Sequence, residues 1–123
     1  MKVLIVDDEA DIRRIGELSL QSIGGWQVLL AESGAEAIDT AKAHRPDLIL
    51  MDMMMPEMDG LTALKQLRED PELESTPVVF MTAKVQREEI LRYLEAGAVG
   101  VVHKPFDPMT LPDEIRRILE QGN

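Results

Sequence analysis

The stretch VLIVDD, residues 3–8, is a short, continuously apolar run that ends in two carboxylates. A run of this length and composition is typical of a strand buried on both faces of a parallel sheet. Three later runs have the same design: residues 48–51 end at Asp52, residues 78–81 end at Thr82, and residues 99–102 end just before Lys104. Ligands of open parallel sheets bind outside the carboxyl ends of the strands, so we expect these polar side chains to meet at one site.

Helical patterns separate these strands and follow the last one, and a further strand is predicted over residues 26–30. The helix signals are four apolar stripes and one capping box: Ile12, Ile15, Leu18 and Ile23; Ser33 with Glu36; Leu61, Leu64 and Leu67; Ile90, Leu91 and Leu94; and Leu111, Ile115, Ile118 and Leu119. Parallel strands need right-handed crossovers, so five βα units favour an α/β fold. We expect a doubly wound, five-stranded parallel sheet in the order 2-1-3-4-5, flanked by five helices.

Length and composition predict one soluble domain over residues 1–123. No apolar run approaches the ~20 residues of a membrane span, so we expect no membrane partner. The chain has no cysteine and no signal-peptide pattern, which favours a cytoplasmic protein. The net charge is −10 and the basic residues are scattered. We therefore expect no nucleic-acid partner, because such binding needs a clustered positive surface.

Three carboxylates at one edge of a sheet need a neutralising cation. Two carboxylates about 4 Å apart repel by roughly 4 kcal/mol at an effective dielectric constant near 20. The first and third strands end without histidine or cysteine, so the oxygen ligands suit Mg²⁺ better than zinc, and Mn²⁺ is also compatible. Lys104 and Thr82 supply the positive charge and the hydroxyl donor that phosphoryl oxygens need. Asp52 is the candidate nucleophile.

In this order, these residues resemble the response regulator receiver domain over essentially the whole chain. The motifs that match are Asp7-Asp8, Asp52 with Pro56 and Asp59-Gly60, Thr82-Ala83, and Lys104-Pro105-Phe106. The resemblance implies the CheY-like, flavodoxin-like fold and a two-component signalling role, in which Asp52 accepts a phosphoryl group from a phosphohistidine. The implied Mg²⁺ ligands are Asp7, Asp8, Asp52 and the backbone carbonyl of Met54. The resemblance further implies that Thr82 and Lys104 bind the phosphoryl oxygens and that the peptide bond between Lys104 and Pro105 is cis.

The implied partners are a sensor histidine kinase or a histidine phosphotransfer protein, and a downstream protein target. On this interpretation the protein is not an enzyme with a separate substrate, because it catalyses only its own phosphorylation and dephosphorylation. The sequence ends shortly after the last predicted helix, so we expect a stand-alone regulator. A phosphorelay intermediate, which passes its phosphoryl group to a second histidine, fits the same residues.

Residues at three positions affect how this chain would switch and how long its phosphorylated form would last. The family often has an aromatic residue three positions before its lysine, where this chain has Val101. Valine is stiff at χ1 and has no ring to move, so we expect no aromatic switch at this position. Met54 and Lys84 flank the expected phosphoryl site, and their apolar and long side chains predict slow hydrolysis of the phosphorylated form.

Other classes of protein fit less well. A phosphohydrolase of the haloacid dehalogenase type also uses an aspartyl nucleophile, but it has an Asp-x-Asp pattern where this chain has the adjacent pair Asp7-Asp8. A flavin site would need a loop that binds phosphate after the first strand, and these carboxylates would repel phosphate. A module that binds partners without phosphorylation would not need the complete set of acidic, threonine and lysine residues.

Overall fold

The computed structural model describes residues 1–121 and forms a single parallel sheet with helices on both faces. The strands are β1 (Lys2–Val6), β2 (Gln27–Ala31), β3 (Leu48–Asp52), β4 (Val78–Thr82) and β5 (Gly100–His103). Their order is β2-β1-β3-β4-β5, and every neighbouring pair is parallel. The predicted fold and strand order are therefore confirmed.

The helices follow the strands in turn. They are α1 (Ala10–Leu18), which continues into a π-helical turn over Ser19–Ile23, then α2 (Gly34–His44), α3 (Gly60–Arg68), α4 (Arg87–Glu95) and α5 (Leu111–Gln121). Two apolar clusters lie on opposite faces of the sheet, one with residues of α2, α3 and α4, the other with the π-helical turn and α5. Within residues 1–121, no helix is both long enough and apolar enough to cross a bilayer.

Local sequence signals set the beginnings of two helices. The hydroxyl of Ser33 accepts a hydrogen bond from the Glu36 N–H, as the capping box predicts. The Asp59 carboxylate accepts from the Thr62 N–H at 2.8 Å and begins α3 in the same way. Gly60 follows because a Cβ there would lie 2.7 Å from Cε1 of Phe80, so only glycine lets α3 begin so close to the sheet.

Two of the predicted apolar stripes do not face the core. Ile15, Leu18 and Ile23 are 41%, 50% and 43% exposed, whereas Ser19 and Leu20 are buried. The covered face is instead the one that carries Gly16, where a Cβ would lie 3.0 Å from Cδ1 of Ile5 in β1. Ser19 and Leu20 follow Gly16 at i+3 and i+4 and therefore share its face.

The stripe predicted for α4 is wrong in a different way. Leu91 and Leu94 are exposed, and the buried residue of the helix is Tyr93. Its ring packs edge-on against Phe80 with 5.4 Å between ring centroids. An aromatic ring buries more apolar area than a leucine, so this contact decides which face of α4 meets the core.

Candidate functional site

Three carboxylates meet at the carboxyl edge of the sheet. Asp7 follows β1 directly and is fully buried, and Asp52 is the last residue of β3 and only 4% exposed. Asp8 is exposed and lies at the mouth of the group. One oxygen from each of the three lies within 4.8 Å of the others. The sequence thus brings three anionic side chains together where sheet topology predicted them.

Lys104 neutralises part of this charge from the end of β5, at the same carboxyl edge of the sheet. Its ammonium nitrogen lies 2.8 Å from Oδ2 of Asp7 and 3.4 Å from Oδ1 of Asp52. The lysine follows β5, and its peptide bond to Pro105 is cis, as the resemblance implied. From the end of β5, this cation therefore reaches past β4 to the carboxylates at the ends of the adjacent strands β3 and β1.

Backbone donors hold the two buried carboxylates in place. The Glu9 N–H donates to Oδ1 of Asp7 at 2.9 Å, and the Met54 N–H donates to Oδ1 of Asp52 at 3.3 Å. Arg13 was not among the predicted site residues, yet its guanidinium donates to the Asp7 carbonyl at 2.7 Å. Its position in the first turns of the helix after Asp7 is the signal that could have identified it. The two backbone N–H bonds fix the carboxylates before any ligand arrives, and the Arg13 bond fixes the backbone of Asp7.

The electrostatics of the site favour proton or cation uptake. Burial raises the pKa of Asp52 from 3.8 to about 6, and the Asp7 carboxylate adds to this effect while Lys104 opposes it. For Lys104, burial alone would lower the pKa, but the hydrogen bond to Asp7 and the charge of Asp52 outweigh it, so the pKa is raised. The site carries more negative charge than its own lysine compensates.

The donor set fits a hard divalent cation. The three carboxylates offer only oxygen ligands, which Mg²⁺ prefers, and the exposed Asp8 leaves the group open to water. Mg²⁺ in proteins commonly keeps several waters beside one or two carboxylates, so a group with an open side suits it. Met54 lies two residues after Asp52 and is 58% exposed. A metal contact from its carbonyl stays a prediction.

Thr82 lies at the same edge, but its hydroxyl makes no hydrogen bond to the three carboxylates. It is the last residue of β4, it is buried, and its hydroxyl oxygen accepts a hydrogen bond from the Lys84 N–H at 3.0 Å. The hydroxyl proton stays available for another acceptor, because this bond uses only a lone pair of the oxygen. Donation from Thr82 to an oxygen bound at Asp52 stays a prediction.

Three further positions lie near the site. Lys84 is exposed beside Thr82, and the adjoining His103 at the end of β5 is exposed as well. Val101 is partly buried and packs against the cluster that contains Phe80 and Tyr93. An aromatic ring does occupy this part of the core, but it comes from α4 and not from β5.

A protein-family model for the response regulator receiver domain matches residues 3–116. The chain belongs to this family. It is the receiver domain of a two-component response regulator. The family that the sequence motifs predicted is confirmed.

Curated relatives and solved structures agree with this assignment. Response regulator Rre1 of Synechocystis is 37% identical over 119 residues, which cover 97% of this chain and 52% of that protein. The probable transcriptional regulator ycf27 of Porphyridium aerugineum is 38% identical, over 98% of this chain and 48% of its own. The chemotaxis response regulator CheY4 of Vibrio cholerae superposes with a TM-score of 0.89 at 35% identity, covering 95% of this chain and 97% of CheY4.

The chain spans about half the length of the curated relatives it matches. Two of these relatives are named as probable transcriptional regulators. The expectation that the protein has no nucleic-acid partner therefore finds no support in them. Whether this receiver acts alone stays a prediction.

Proposed function

We propose that the receiver stores a signal as an aspartyl phosphate on Asp52, formed by transfer from a phosphohistidine in a reaction that needs Mg²⁺. The observation that carries this proposal is the buried carboxylate of Asp52, aligned beside Asp7 and within 3.4 Å of the Lys104 ammonium. With a pKa of about 6, most Asp52 side chains are ionised at pH 7.5 and ready to act as nucleophiles.

The transfer step is an in-line displacement at phosphorus. An oxygen of Asp52 bonds to phosphorus while the bond to the donor imidazole nitrogen breaks, and that nitrogen keeps the electron pair. Such transition states are loose, so the protein acts mainly through positioning and charge. Mg²⁺, held by Asp7, Asp8, Asp52 and the Met54 carbonyl, would supply positive charge to the phosphoryl oxygens.

The side chains of this chain then hold the product. Lys104 lies close enough to Asp52 to pair with a phosphoryl oxygen, and it would exchange part of its contact with Asp7 for that bond. The Thr82 hydroxyl would turn inward to donate to a second oxygen. The phosphoryl group, with its own charge of about −1.5 to −2, thus pulls on the ends of β4 and β5, and with them on the loop before α4. A partner that binds one arrangement better would sense the change.

A test of the chemistry starts with acetyl phosphate and Mg²⁺, followed by intact mass. We expect one added phosphoryl group, stable in acid and labile in base, that disappears with EDTA and in Asp52→Asn. Asp39→Asn is the matched control, because it removes an exposed carboxylate from α2 and should be phosphorylated normally. Phosphorylation of Asp52→Asn to the wild-type level would contradict the proposal.

An apolar surface on α1, the helix that follows Asp7 and Asp8, fits the phosphodonor protein. The exposed side chains of Ile15, Leu18 and Ile23, with Pro108, line a shallow cavity of about 270 Å³, which we call the α1 patch. The Ser19 hydroxyl donates to the Pro108 carbonyl and joins the patch to the loop after Lys104. A partner seated here would place its histidine near Asp52.

Leu18→Glu separates docking from chemistry. We expect phosphorylation by acetyl phosphate to stay normal, while transfer from a phosphorylated sensor kinase slows at least tenfold because a charge enters the interface. Leu94→Glu on α4 is the control, since Leu94 is comparably exposed but lies outside the patch. Equal slowing in both variants would place the docking surface elsewhere.

A further inference from the structure

A second concentration of charge lies between α3 and α4. A groove of about 400 Å³ is lined by Leu61, Lys65, Arg68, Arg92 and Ala96. The three α3 residues are spaced i, i+4 and i+7, so they form one stripe along that helix. Arg92 of α4 and Ala96, the residue that follows α4, are spaced i and i+4. We call this the α3–α4 groove. Its volume lies within the ~300–1,000 Å³ range of small-molecule sites.

The cations of the α3–α4 groove have no carboxylate partner among residues 1–121. None of Lys65, Arg68 and Arg92 makes an ion pair there, although the chain carries 23 acidic residues and a net charge of −10. Cations in the last turns of helices also complement the helix dipole, which accounts for their position along α3 and α4. The dipole does not account for an open groove with an apolar floor between them.

Arg68 is held in place rather than free in solvent. Its guanidinium donates to the Leu73 carbonyl at 2.9 Å and to the Gly97 carbonyl at 3.5 Å, so it ties the loops after α3 and α4 together. Burial lowers its pKa, because the charged form is partly desolvated without a counter-anion. A bound anion would recover part of that cost.

We propose that the α3–α4 groove binds a small anion with a flat apolar body, such as a nucleotide or an aromatic carboxylate. Leu61 and Ala96 would contact the ring, and guanidinium planes can stack on it. Lys65 and Arg92 would pair with the phosphate or carboxylate. This site is separate from the carboxylates of the sheet edge and does not depend on phosphorylation of Asp52.

The test is a ¹⁵N NMR titration of the unphosphorylated chain with three probes: AMP, indole-3-acetate and inorganic phosphate. AMP and indole-3-acetate distinguish a nucleotide from a carboxylate source. We expect at least one of them to shift the amide signals of Lys65, Arg92 and Ala96 saturably. Inorganic phosphate should bind at least tenfold more weakly, because it lacks the apolar body. Absence of saturable shifts with both ring-bearing probes would overturn the proposal.

Variants locate the binding. The double substitution Lys65→Ala with Arg92→Ala should weaken the binding at least tenfold, and both side chains are exposed, so the fold should be retained. Lys42→Ala with Arg117→Ala is the control, because it removes two exposed cations that lie outside the groove and form no ion pairs within residues 1–121. Equal loss in the control pair, or unchanged binding in the groove pair, would refute the site.

Discussion

The carboxyl edge of the sheet and the α3–α4 groove are both electrically unbalanced, but they are built differently. At the edge, buried carboxylates of Asp7 and Asp52 are fixed by backbone N–H groups and share one lysine. In the groove, Lys65 and Arg92 are exposed side chains on helix surfaces. The first arrangement stores unfavourable free energy inside the fold, whereas the second leaves the charges of Lys65 and Arg92 in water.

The comparison predicts that charge changes at the edge alter stability and that those in the groove do not. Buried charges lose hydration, so removing one partner leaves the other uncompensated. Exposed charges are hydrated and screened, and their removal costs little. Three predictions test this difference in stability, and a fourth tests whether Met54 shields the phosphoryl group at the edge.

Lys104→Met should have the largest effect. It leaves the fully buried Asp7 without its cation, so we expect the free energy of unfolding at pH 7.5 to fall by about 3–5 kcal/mol without divalent ions. Mg²⁺ should restore much of this loss by supplying another cation. Urea unfolding with and without 10 mM Mg²⁺ measures both, with Lys42→Met as the exposed-cation control. A loss no greater than in the control would show that Asp7 does not need the lysine.

Asp52→Asn should stabilise the protein at pH 7.5 when divalent ions are absent. The pKa of Asp52 is higher in the folded state, about 6, than its ordinary value of 3.8, so the ionised form is the one that folding disfavours. At about 1.4 kcal/mol per pKa unit, the gain is at most about 3 kcal/mol.

The direction of the Asp52 pKa shift also sets how the stability gain of Asp52→Asn depends on pH. The advantage of Asp52→Asn is complete above about pH 6, shrinks as pH falls towards 3.8 while Asp52 becomes protonated, and vanishes below that. Thermal unfolding at pH 7.5, 5 and 3.5 measures it against Asp39→Asn. A gain that is the same at all three pH values would contradict the raised pKa.

Met54→Asn should speed loss of the phosphoryl group several-fold. Met54 is exposed next to the site, and we expect its apolar side chain to hinder the water that attacks phosphorus. Decay of the phosphorylated mass after removal of acetyl phosphate measures the half-life. Met109→Asn is the control, because Met109 is 69% exposed on the loop before α5. An unchanged half-life would exclude shielding by Met54.

Lys65→Ala with Arg92→Ala should have the smallest effect on stability, less than about 0.5 kcal/mol without ligand. The same double variant is expected to lose ligand binding, so binding and stability separate in the groove. Urea unfolding beside Lys104→Met gives the contrast directly. A loss above about 2 kcal/mol would mean that these cations hold the fold together.

Much of the fold follows from local patterns in the chain. Continuous apolar runs predicted β1, β3 and β4, because a strand that is buried on both faces of the sheet carries apolar side chains on both faces. The strand ends then predicted which side chains meet at the edge, since parallel strands present their carboxyl ends together. Asp7, Asp8 and Asp52 lie together for this reason. Their chemical roles stay predictions, to be tested by the experiments above.

Helix faces were harder to predict. The spacing of Ile15, Leu18 and Ile23 is that of a core-facing stripe, yet the face that carries Gly16, Ser19 and Leu20 is the one that is buried. Apolar spacing records which residues share a face, but the position of the sheet decides which face is covered. On α4 that decision rests on the contact between Tyr93 and Phe80.

The order of apolar and polar residues along the chain thus determined the elements, the sheet topology and the set of side chains at its carboxyl edge. Tertiary structure alone decided that Lys104 lies against Asp7, 97 positions away, that Arg13 holds the Asp7 carbonyl, and that three cations line one groove. The physical reason is the separation along the chain over which each kind of interaction acts. Strand and helix patterns reflect neighbours within a few residues, whereas charge balance depends on distances in space that only the packed fold sets.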